Sequence, residues 1–151
     1  MKKIALLSYL QLFAVLFAIS QDTTLTVQQQ TAITTLIDQY SLARESRDTV
    51  LLKDILTADI DQLVSTGEWR TGLRAAIDGM LRSSANSPGK RTLTVDRIQK
   101  LNATTAITDC RYEIQNADGS IRKMWSSFIV VADKRKWKIR SIRNMLPAPN
   151  N

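Results

Sequence analysis

The sequence contains no histidine. That absence removes Ser-His and Cys-His nucleophilic pairs, imidazole general bases and nearly all zinc sites. Acid/base chemistry would fall to Asp, Glu, Tyr or Lys, and no cofactor or metal is expected. Cysteine is limited to Cys110, so no intrachain disulfide can form. Its strand-forming neighbours fit a buried structural thiol better than a nucleophile. With 5 Gly and 3 Pro in 151 residues, the chain is not a low-complexity one, and no internal repeat is visible. The length suits one domain with one core.

Acidic residues are absent from the first 21 positions, and the run "IALLSYLQLFAVLFAI" follows "MKK". A basic start, a short apolar stretch and the small residues Ala18 and Ser20 before Gln21 form a signal-peptide pattern. Ser8 and Gln11 interrupt the run, which is short for a membrane span. The expectation is a signal peptide at 1–20, a single domain at 21–151, and an exported protein, periplasmic or secreted, with no membrane attachment after cleavage. The net charge is +7, to which Lys2 and Lys3 contribute. The basic cluster "KRK" at 134–136 reads as a solvated turn, and no nucleic-acid partner is expected.

Thr26 with Gln29 forms a capping-box pattern, and Ile33, Leu36, Ile37 and Tyr40 follow at helical spacing. This predicts a helix over about 27–45. Asp48 caps a second, short helix through Leu51, Leu52, Ile55 and Leu56. "IDQLVSTG" reads as a short strand ending at Gly67. A third helix starts near Gly72, with the stripe Leu73, Ala76, Ile77, Met80 and Leu81 and the charged face Arg74, Asp78 and Arg82. Beyond "NSPG" at 86–89 the period becomes two, with strands expected at 91–100, 104–115, 121–132 and 136–145. Helices first and long strands after is an α+β layout.

This order of elements resembles the nuclear transport factor 2-like superfamily, in particular its SnoaL-like group. The residues that carry the resemblance are Tyr40, Asp48, "LTADI" at 56–60, Gly67, Gly72 and "WKI" at 137–139. The turn before "WKI" departs from the family, which often has Asp-Gly where this chain has "DKRK". The resemblance implies a cystatin-like cone, three N-terminal helices packed on a curved antiparallel sheet, with an apolar pocket. The superfamily includes isomerases, cyclases, dehydratases and non-enzymatic binding domains, so the fold alone does not give the function. On a ketosteroid isomerase, Tyr40 falls on the oxyanion-stabilising tyrosine, but the general-base position falls on Val64, which cannot take a proton.

Strand parity predicts the pocket's face. On 104–115, Ala106, Thr108, Cys110, Tyr112 and Ile114 share one side, with Asp109, Arg111 and Glu113 on the other. A two-residue turn at Asp118-Gly119 would place Tyr112 opposite Trp125 and Cys110 opposite Ser127. Continuing with a loop at Asp133 to Arg135, Ser141 and Arg143 follow Trp137 and Ile139 inward. The expected ligand-binding set is therefore Tyr40, Trp69, Tyr112, Trp125, Ser127, Ser141 and Arg143, around a small amphipathic and acidic molecule. The same register turns Met124, Phe128 and Val130 outward, from which a homodimer through the outer sheet face is expected. The alternatives are an acid/base isomerase, cyclase or dehydratase, with Asp59 and Asp61 as the nearest carboxylates, and a protein-interaction module.

Overall fold

The structure, a computed structural model, describes residues 24–86 and 89–148. The expected signal peptide lies outside the described residues. Helix α1 spans Val27–Ser46. Its capping box is complete: the Thr26 hydroxyl accepts from the Gln29 amide, and the Gln29 side chain accepts from the Thr26 amide at 3.0 Å. It stops at Arg47, whose left-handed backbone (φ 55°) turns the chain toward the next helix. Helix α2, Thr49–Ile55, starts at Asp48, whose carboxylate accepts from the Val50 and Leu51 amides at 2.9 Å. Strand β1 (Leu56–Leu63) and the short β2 (Trp69–Thr71) precede helix α3, Leu73–Asn86. Four long strands complete the chain: β3 (Gly89–Asn102), β4 (Thr105–Asn116), β5 (Ile121–Asp133) and β6 (Lys136–Met145).

These six strands form one sheet in the order β2-β1-β6-β5-β4-β3. The meander β3 to β6 is antiparallel, but β6 returns to lie parallel to β1. The expected antiparallel sheet is thus mixed at one seam. The helical stripe Ile33, Leu36, Ile37 and Tyr40 packs in one buried cluster with Ala106, Cys110, Phe128, Val130, Ile139 and Ile142. The Tyr40 and Phe128 rings meet edge to face, with centroids 5.4 Å apart. Burying each such side chain contributes about 1.5–3 kcal/mol, which is what holds α1 on the sheet.

Two local features overturn the predicted register beyond β4. The β4–β5 hairpin closes with Ala117, Asp118 and Gly119 between Asn116 and Ser120, not with Asp118-Gly119 alone. Gly119 supplies the positive φ (83°) and the Asp118 carboxylate accepts from the Ser120 amide, a three-residue loop in place of the tighter turn. Tyr112 therefore faces Met124, and Cys110 faces Ser126. Every β5 side chain changes face, as a one-residue slip requires. Met124, Ser126, Phe128 and Val130 point to the helices and are buried. The apolar outer surface that motivated the dimer expectation is the core.

The second feature is a bulge in β6. Val130 pairs with Ile139, yet Ile129 pairs with Ser141, which leaves Arg140 as the extra residue. Trp137 and Ile139 face inward as expected, while beyond the bulge Ile142 is the inward residue and Arg143 turns outward.

Candidate functional site

A cavity of about 260 Å³ opens between the end of α1, the β1–β2 turn, α3 and the inner face of β3–β6. Arg44, Arg70, Arg82, Arg91 and Arg122 line it, with Glu68 as the one carboxylate among the lining residues. Val64, Ile114 and Met124 provide apolar wall, and Tyr112 completes the inner side.

Arg44 and Arg91 arrive by legible local rules. Arg44 lies four residues after Tyr40, so it continues the core stripe of α1 rather than the solvent face. It is 7% exposed. Its Nη1 donates to the Tyr112 hydroxyl at 3.0 Å. The rings of Tyr40 and Tyr112 lie on either side, each 5.8 Å from the guanidinium carbon. No carboxylate pairs with Arg44 among the described residues, and its Nε–H has no acceptor. The Tyr40 hydroxyl faces the same guanidinium without meeting hydrogen-bond geometry. Burial raises the pKa of Tyr40, so it stays a neutral phenol.

Arg70 is also buried, on the inward position of the short strand β2. Its Nε and Nη2 donate to the two Glu68 oxygens, each at 3.1 Å, a bidentate fork. The same Nη2 reaches Ser83 Oγ at 3.1 Å, and Nη1 reaches the buried Gln62 Oε1 at 3.5 Å. The side chain crosses α3 at Gly79, where a Cβ would collide with Arg70 Nε and Cδ. Glycine is unfavourable inside a helix, and here the lost propensity is exchanged for a buried guanidinium. Hydrogen bonds from Arg70, and its charge, hold the Glu68 carboxyl below its usual range. Arg82 adds a longer contact to Glu68 at 3.5 Å. Arg91 shares its face of β3 with Leu93 and Val95 and donates to the Gly89 and Ser83 carbonyl oxygens. Arg122 Nη2 donates to Ser65 Oγ at 2.7 Å from the rim.

The cavity has the volume of a small organic molecule, and guanidinium forks match carboxylate or phosphate oxygens. Among the described residues no group of His, Cys, Asp and Glu could hold a metal ion. Burial pushes the Cys110 thiol up to about 12, so it is no nucleophile at neutral pH.

No protein-family model matches the sequence, and no curated protein is similar to it. Solved structures are similar. A protein of unknown function with a cystatin-like fold from Nostoc punctiforme superposes with a TM-score of 0.73 at 13% identity, covering 83% of this chain and 96% of the other. An NTF-2 like protein of unknown function from Shewanella oneidensis gives 0.65 at 15% identity, over 77% and 98%. A nuclear transport factor 2-like superfamily protein from Salmonella enterica gives 0.66 at 17% identity, over 81% and 93%. This chain has the nuclear transport factor 2-like fold.

Within this nuclear transport factor 2-like fold, the residues singled out from sequence scatter. Tyr112 lines the cavity, and Tyr40 sits in the core beneath it. Trp125 and Ser127 face outward because β5 is flipped. Trp125 is half-exposed and Ser127 Oγ donates to Asp109 Oδ1 at 2.6 Å. Ser141 is buried on the outer side of β6, level with Asp61 of β1. Arg143 does not enter the cavity. It donates to both Asp61 oxygens at 3.2 and 3.0 Å and stacks over the exposed Trp69 ring at 4.7 Å. That hydrogen bonding holds Asp61 below the usual carboxylate range. Arg143, Asp61 and Trp69 thus form an outer clip across the β1–β6 seam. Neither Asp59 nor Asp61 points into the cavity: Arg140 pairs with Asp59 at 3.1 Å, and Arg143 takes Asp61. The acid/base alternative loses both of its nearest carboxylates.

The cavity arginines were missed although a signal existed. Arg44 is in phase with the α1 stripe, and Arg91 has the parity of Leu93 and Val95. A cation at a core phase, rather than a cation near an aromatic, was the informative pattern.

Proposed function

We propose that this protein is an exported, SnoaL-like, non-catalytic binding domain that holds a small amphipathic anion in the arginine-lined cavity. The observation that carries this reading is the charge balance: five guanidinium groups and one carboxylate line the same small space. A partly enclosed cationic site attracts and retains an anion because its low-dielectric walls weaken solvent screening. Val64, Ile114 and Met124 give the ligand's apolar part a wall.

Mass spectrometry of denatured, freshly purified protein should release a small acid. Calorimetry with cyclohexanecarboxylate and its neutral amide should show binding of the acid alone, weakening as salt rises. Equal binding of acid and amide, or no binding of any amphipathic acid, would refute the reading.

A homodimer through the outer sheet face remains part of the proposal on a new footing. Trp125 and Met145, paired across β5 and β6, are both 45% exposed on that face. Sedimentation should give a dimer, and Trp125→Glu a monomer.

A further inference from the structure

The floor of the cavity has a feature that the charge balance does not use. Arg44 can only donate, so the hydrogen bond between its Nη1 and the Tyr112 hydroxyl makes the phenol oxygen the acceptor. The phenolic hydrogen is then directed elsewhere, and Tyr112 donates no hydrogen bond to another described residue. Tyr112 is 4% exposed and lines the cavity, so the acceptor for that hydrogen is supplied by the cavity's occupant. An occupant that brings an oxygen there makes the bond, and one that brings none leaves a buried donor unpaired at a cost. Tyr40 offers a matched contrast: its hydroxyl is buried against the same guanidinium, but it is not part of the cavity lining.

We propose that Tyr112 is the specificity-determining residue of the site. Its O–H donates to one oxygen of the ligand's anionic head, a carboxylate or phosphate monoester, while Arg44 fixes the phenol from behind. This rests on the anion-binding reading above and deepens it. The rim arginines attract any anion, whereas the floor selects one with an oxygen acceptor on an apolar body. Halide ions can satisfy the rim alone.

The test compares wild type, Tyr112→Phe and Tyr40→Phe by calorimetry with cyclohexanecarboxylate and cyclohexyl phosphate. Tyr112→Phe should weaken both about ten- to hundredfold, the effect of losing a hydrogen bond to a charged acceptor, with Tyr40→Phe close to wild type. The ratio of the two wild-type affinities then tells which head the site prefers. If Tyr112→Phe binds like wild type, the inference is overturned while the anion reading stands. Equal losses in both variants also overturn it, because the phenols would then act only by supporting Arg44. No binding to wild type removes both. Should Tyr112→Phe fail to fold, the ultraviolet difference spectrum of the Tyr40→Phe protein decides: saturating cyclohexanecarboxylate should perturb the Tyr112 band, and an unchanged band refutes the donor role.

Discussion

At the residue scale, two positions control how much of the cationic charge is available. Glu68 occupies the Arg70 fork as a resident counter-anion at the cavity rim. An incoming carboxylate must compete with it. Glu68→Gln should therefore raise affinity for cyclohexanecarboxylate by about two- to fivefold at most, since a solvent-exposed charge is strongly screened. Unchanged or weaker binding in calorimetry would show that Glu68 holds Arg70 in its binding position instead. Gly79 is the second position. Alanine there would gain about 1 kcal/mol of helix propensity in isolation. The added Cβ, however, occupies the path of the Arg70 side chain. Gly79→Ala should lower the melting temperature and weaken anion binding together, and a stabilised variant would contradict the packing.

At the element scale, the sequence was legible wherever a rule is local. Caps and stripes depend on neighbours within four residues, and Thr26, Asp48 and Gly72 stand where sequence placed the boundaries, whereas β1 runs Leu56–Leu63 and ends four residues before the expected Gly67. Register was not legible beyond β4, because it accumulates across turns. One extra loop residue at Ala117–Gly119 and one bulged residue at Arg140 each reverse a face, and alternation cannot reveal either. β5 is apolar on both parities, with Ile129 and Val131 on one and Phe128 and Val130 on the other, so its pattern fits either orientation. The site inherited that error, since four of its seven expected residues lie on β5 and β6. The bulge also makes a prediction. Deleting Arg140 leaves Ile139 and Ile142 on their present faces, so the protein should fold and bind anions, with loss of the contact to Asp59. Deleting Ser127 from the regular part of β5 would turn half its core residues outward. Circular dichroism melts should show a cooperative transition for the first and none for the second.

At the scale of the whole molecule, carboxylates held low by arginine partners set the acid limit. Glu68, Asp61 and Asp109 all have folded-state pKa values below their ordinary ones. Glu68 and Asp61 owe this first to hydrogen bonds from Arg70 and Arg143. For Asp109 burial acts in the opposite direction, and Ser127 and Arg97 outweigh it. A depressed folded pKa contributes stability that is present above the unfolded value and lost as pH falls through the folded one. Stability should thus be level near neutrality and decline below about pH 4. Melting temperatures across pH 2–7 check this, and Asp61→Asn should shed part of the acid dependence.

The single thiol has a practical consequence. Cys110 is buried and its pKa is pushed to about 12, which leaves the molecule without a reactive sulfur at neutral pH. A cysteine introduced at Ser65, beside Arg122 on the rim, could be labelled selectively without first removing the native one. A fluorophore there would report by its emission whether an anion enters the cavity, turning the chain into an optical sensor for the proposed binding.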